Sequence, residues 1–159
     1  MACSIIFDID SLTLNPNLNI ELLSKSDADI ITNNTLLNRI FEFCRINQER
    51  CCILTKYPLE IIMPIIKFES KIQCVSSSTV TEDGVIVPRL INKSEFQRDS
   101  SDSVILVTGK LYSHEYINMG DYVISYGMND DSLSTELLRL STHAIYNEEK
   151  LCQTLQQLL

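Results

Sequence analysis

Stretches of nearly unbroken apolar character recur along the chain: SIIF at 4–7, CCIL at 51–54, SVILVT at 103–108 and DYVISYG at 121–127. A strand with one face in water would alternate apolar with polar residues. These runs do not, so they predict strands buried on both faces. Between them lie segments with helical spacing. The clearest is 35–49, where Leu36, Leu37, Ile40, Phe41 and Cys44 recur on one face and Asn34 or Thr35 is the expected cap. Further helices are predicted at 20–30, at 57–68 (with Pro58 in the first turn and Pro64 as a break or kink), at 109–120, 132–140 and 148–159. THAIY at 142–146 adds a short strand, and the runs 72–81 and 85–91 flank Glu82-Asp83-Gly84 as a hairpin. Doubly apolar strands alternating with helices specify an α/β chain, a three-layer sandwich whose mostly parallel sheet carries helices on both faces. A length of 159 residues suits one domain, residues 1–159, with a short cap-like insert at about 15–34.

In an open parallel sheet, ligands gather at the carboxyl ends of the strands. Asp8 and Asp10 follow SIIF, Thr55 follows CCIL, Lys110 follows SVILVTG and Asp130 follows DYVISYGMN. Two carboxylates, a hydroxyl, an ammonium and a further carboxylate are the groups Mg²⁺-assisted phosphoryl transfer requires. One carboxylate attacks phosphorus and a second moves the leaving-group proton. Hard oxygen ligands hold Mg²⁺, while hydroxyl and ammonium receive the phosphoryl oxygens.

The order of these residues resembles the haloacid-dehalogenase superfamily of phosphatases, and most closely its phosphoserine phosphatase branch. That family's first motif, D-x-D-S-T after an apolar run, is matched by Asp8-Ile9-Asp10-Ser11-Leu12, and a segment like IDELAK by IELLSK at 20–25. The second motif, a strand ending in Ser or Thr, is matched by CCILT, and the E-D-G hairpin of the branch by residues 82–84. Gly109-Lys110 corresponds to the third motif, and residues 125–130 (SYGMND) to the fourth, G-D-G-x-N-D. The resemblance implies Asp8 as nucleophile, Asp10 as general acid and then base, and Thr55 and Lys110 as phosphate ligands. It implies Mg²⁺ held by Asp8, Asp10 through its backbone carbonyl, and Asp130 or its neighbour Asp131.

Two departures fall inside that site. Tyr126 stands where the fourth motif has its first aspartate, and a phenol is a poor Mg²⁺ ligand near neutral pH. Leu12 replaces the first motif's threonine. Both favour, as the alternative, a catalytically impaired relative that acts by binding. A third departure concerns substrate. Only about 45 residues separate Asp8 from Thr55, and the helix at 35–49 takes a third of them. Little remains for a lid, which suits a large or macromolecular phosphoester, a phosphorylated small molecule or protein, better than free phosphoserine.

Composition narrows the partners. A net charge of −8 without a Lys/Arg cluster argues against nucleic acid, and no apolar run reaches the length of a membrane span. The N-terminus has no signal-peptide pattern. Six cysteines, Cys3, Cys44, Cys51, Cys52, Cys74 and Cys152, show no C-x-x-C spacing and read as reduced small hydrophobes of a cytoplasmic protein. His114 and His143 read as surface or packing residues. Asp130 and Asp131 have a structural reading as well, as caps of the helix at 132–140. The leucines of 148–159 predict core packing ahead of a homo-oligomer interface.

Overall fold

The computed structural model describes residues 3–15, 30–66, 71–110, 120–127 and 133–159. Its centre is a six-stranded sheet: β1 (Cys3–Asp8), β2 (Cys51–Thr55), β3 (Gln73–Ser76), β6 (Ser103–Thr108), β7 (Tyr122–Tyr126) and β8 (His143–Ile145), in the spatial order β3-β2-β1-β6-β7-β8. Every neighbouring pair is parallel. A separate two-stranded antiparallel sheet joins β4 (Ser78–Val80) to β5 (Ile86–Pro88), turning at Gly84 with φ +80°. The hairpin expected from 72–81 and 85–91 is therefore shorter. Its first arm splits, because Cys74 and Val75 are apolar enough to enter the main sheet while Ser77 releases the chain towards β4.

One face of the sheet (Ile5, Phe7, Ile53, Ile105, Val107, Ile124) packs against helices α2 (Asn34–Ile46), α3 (Leu59–Ile65) and α5 (Glu148–Leu158) in the main core. Phe7 and Phe43 meet edge to face at 6.0 Å between centroids. The other face (Ile6, Cys52, Leu54, Val104, Leu106) is covered by Ile91 and Phe96, and Val123 by Leu133 and Leu137, the latter in α4 (Thr135–Leu140). Leu151 and Leu155 of α5 are buried in the main core, as expected of its apolar stripe.

The helix ends depart from expectation by a few residues, each for a local reason. The cap of α2 is Asn33, whose side chain accepts from Leu36 N–H at 3.0 Å, so neither Asn34 nor Thr35 plays that part. Ser134 caps α4 through Leu137 N–H at 3.1 Å, and the helix starts at Thr135; Asp130 and Asp131, expected as caps, lie outside the described residues. Pro64 sits in the last turn of α3, where the helix closes one residue later. The helices expected at 20–30 and 109–120 lie almost wholly outside the described residues. All six cysteines are free thiols, and burial pushes the Cys74 thiol up to about 12. Among the described residues no helix is long and apolar enough to cross a membrane.

Candidate active site

Because β1 lies between β2 and β6, its carboxyl end is flanked by two strands that terminate in threonine, Thr55 and Thr108. The chain leaves β1 at Asp8 and turns at once into the short helix α1 (Ile9–Thr13), which places Asp10 in the first turn. Asp8, Asp10, Thr55 and Thr108 are all buried, each at 2 % exposure or less.

Asp10 is held at both oxygens. Thr55 Oγ1 donates to Oδ1 at 2.7 Å, and the Lys56 backbone N–H donates to Oδ2 at 2.6 Å. Asp8 is held at one: Thr108 Oγ1 donates to Oδ2 at 2.9 Å, whereas Oδ1 is buried with no hydrogen-bond partner among the described residues. Ser11 ties the loops together. Its hydroxyl donates to the Asp8 carbonyl, accepts from Gly109 N–H at 2.9 Å and lies 3.1 Å from Thr108 Oγ1. Gly109 permits this approach, since a Cβ there would stand 2.9 Å from the Tyr126 carbonyl oxygen and 3.1 Å from that of Ser11.

Burial dominates the electrostatics. Desolvation, reinforced by the negative charge of Asp10, pushes Asp8 up to about 7 against the hydrogen bonds from Thr108 and Ser11. Asp10 rises to about 6, again through desolvation, opposed by the Lys56 N–H, the Thr55 hydroxyl and the Lys56 charge. A pair of carboxyl groups lifted to neutrality, one fully hydrogen-bonded and one with an open oxygen, is suited to proton exchange at the first and bond formation at the second.

Asp8, Asp10 and Thr55 thus come together, but Thr55 spends its hydroxyl on Asp10. Lys110 follows Thr108 at the same end of the sheet, where its backbone carbonyl lies 3.0 Å from Thr108 Oγ1. Its side chain is exposed. Asp130 and Asp131 lie outside the described residues. Tyr126, two strands from β1, is buried in the main core with Ile145, Leu151 and Leu155. Its phenol is raised by burial and then by the charge of Glu148. Leu12 is buried in the same core. Thr108 was missed by sequence reasoning; its one signal is that it precedes Gly109-Lys110 at a strand end.

The donor chemistry bears on a cation. Asp8 Oδ1 is an oxygen that a hard cation would satisfy, and the Asp10 carbonyl accepts from Leu14 N–H at a long 3.3 Å. Both fit Mg²⁺. The Asp10 carboxylate, saturated by Thr55 and Lys56, is not a free ligand. Among the described residues no three His, Cys, Asp or Glu side chains gather as a metal cluster.

No protein-family model matches the chain, and no curated protein matches it in sequence. Among solved structures it is similar to the phosphoserine phosphatase from T. onnurineus, with 13 % identity and a TM-score of 0.58 over 97 % of this chain and 94 % of that one. A likeness at that identity shows the fold alone, an α/β domain built on a parallel sheet.

Proposed function

We propose that the chain is a phosphomonoester phosphatase that works through an aspartyl-phosphate on Asp8. The observation that carries the reading is the asymmetry of the carboxyl pair: Asp8 keeps one buried oxygen open while Asp10 is fixed beside it by Thr55 and Lys56. Asp8 Oδ1 attacks phosphorus, the bond from phosphorus to the ester oxygen breaks, and Asp10 gives its proton to the departing alkoxide. Water then loses a proton to Asp10 and attacks phosphorus, and cleavage of the bond from Oδ1 to phosphorus releases inorganic phosphate and restores both residues. The raised pKa of Asp10 suits the first role, because an ordinary aspartate holds no proton to give near pH 6.

Asp8, the Asp10 carbonyl and Asp130 are the groups that would hold Mg²⁺, which when bound supplies positive charge to the Asp8 carboxylate and the phosphoryl oxygens. Lys110 would contribute a further cation. The short span between α1 and α2 favours a large phosphoester, a phosphoprotein included, over free phosphoserine. A cytoplasmic location belongs to the same reading.

A second reading, an impaired relative that binds rather than hydrolyses, rests on the burial of Tyr126 in the core at the fourth motif. Phosphate release from an aryl phosphate, with and without Mg²⁺, separates the two. Hydrolysis should require Mg²⁺ and fall by about 10³-fold or more in Asp8→Asn. Equal activity in that variant excludes the aspartyl-phosphate route, and a wild type that is inert towards all phosphoesters favours the second reading.

A further inference from the structure

We propose that Lys56 is an anion-anchoring residue of this site, placing its ammonium against the phosphoryl group in the role that the motif resemblance implies for Thr55. The inference deepens the phosphatase reading and rests on it for the identity of the ligand. Strand β2 ends at Thr55, and the residue that follows is fixed on both sides. Its N–H donates to Asp10 Oδ2 at 2.6 Å and its carbonyl accepts from the Ser78 hydroxyl. A backbone so restrained leaves the side chain as the variable part. That side chain is half-buried and folds back so that Nζ lies 5.3 Å from the centroid of the Tyr57 ring. Tyr57 is itself buried in the main core, with its N–H bonded to Thr55 Oγ1 at 3.1 Å. The cation is therefore seated over an aromatic face at the carboxyl end of β2. Its charge is felt at Asp10.

The need for such a cation follows from charge. A phosphate monoester carries close to two negative charges at neutral pH, and the protein as a whole carries −8. Bringing the ester to two buried carboxyl groups is opposed by repulsion that grows as the local dielectric falls. Thr55 cannot relieve it, because its one hydroxyl proton is committed to Asp10. Lys56, one residue on, brings an ammonium from a backbone already bonded to Asp10. A lysine directly after a strand-end threonine is thus read as the site's own charge compensation rather than as a solvated surface residue.

Calorimetric titration of the whole chain with inorganic phosphate, in the presence of Mg²⁺, tests the assignment. Binding should weaken roughly tenfold or more in Lys56→Met, the loss expected for a charge-assisted hydrogen bond. It should stay within about threefold of wild type in Lys56→Arg, which keeps the charge. Unchanged affinity in Lys56→Met, or an equal loss in both variants, overturns the proposal, as does a wild type that binds no phosphate. Hydrolysis measured on the same preparations judges the phosphatase reading separately. A protein that binds phosphate through Lys56 but cleaves no ester keeps this inference and loses that reading.

Discussion

The carboxyl ends of β6 and β7 lie side by side, paired at Thr108 and Ser125, yet they are put to opposite uses. Thr108 turns its hydroxyl to Asp8, whereas Tyr126 turns its ring into the apolar core. Both strands are apolar and both are followed at once by a glycine, so local sequence does not separate them. Sheet order does. β6 is adjacent to β1, while β7 is one strand further out, about 10 Å from β1 at the usual strand spacing of about 4.8 Å. Only the nearer strand reaches Asp8 with a short side chain. The farther one is free to serve packing.

The largest expected effect attacks the β7 side of this contrast. Tyr126→Asp introduces a carboxylate at the end of β7, but places it in the core that holds Ile145, Leu151 and Leu155. It should lower unfolding free energy by about 3–5 kcal/mol, through loss of a core aromatic and burial of a charge. If the variant instead keeps wild-type stability and gains stabilisation by Mg²⁺, the position faces the site and the contrast fails.

The next effect sharpens the β1 side. In metal-free protein, folded Asp8 keeps its proton to about pH 7, whereas the unfolded chain gives it up near the ordinary aspartate value of 3.8. The folded state therefore binds more protons across that window, and stability is lost as pH rises through it. Asp8→Asn removes this dependence. Its advantage over wild type in denaturant titrations should be near zero at pH 4 and reach roughly 2–4 kcal/mol at pH 8. A constant difference across the range would mean that Asp8 is not desolvated.

The smallest effect concerns the hydroxyl that links the two strands. Thr108→Val keeps the shape but frees Asp8 Oδ2, and kcat should fall about tenfold with little change in KM, since orientation of the nucleophile is lost rather than binding. Thr108→Ser should recover most of it. Steady-state kinetics on the pair decides, and equal loss in both variants would assign the residue to packing.

Much of this architecture was legible in the sequence, because it rests on patterns with a single physical cause. SIIF, CCIL, SVILVT and DYVISYG became buried strands of a parallel sheet, since a strand apolar on both faces has no other stable place. Asp8, Asp10 and Thr55 met at one end because Asp8 and Thr55 close strands that run side by side and Asp10 follows Asp8 in the first turn of α1. Less legible was anything set by competition between near-equal neighbours. Asn33, not Asn34, caps α2, one residue earlier than expected, and Ser134 caps α4 two residues into the stretch expected to be helical. Hydroxyl roles were hidden most deeply. Thr55 and Thr108 look alike in sequence, and only the placement of β1 between their strands assigns one to Asp10 and the other to Asp8. Lys56 was overlooked for a similar reason, as a lysine at a strand end is ordinarily solvent-facing.

Leu14 and Ile31 are joined by an antiparallel bridge, flanked by Asn15 N–H to the Ile30 carbonyl at 2.8 Å and Thr32 N–H to the Thr13 carbonyl at 2.8 Å. Below this crossing Thr13 and Leu14 are buried, so the two legs are clamped together by the domain itself. The crossing acts as a socket. Chain inserted beyond it does not have to bring its own ends together, and doubling such an insert costs only about 0.6 kcal/mol in loop-closure entropy. Since α1, with Asp10, stands immediately before the socket, sequence changes between its two legs leave the carboxyl pair and its threonines in place.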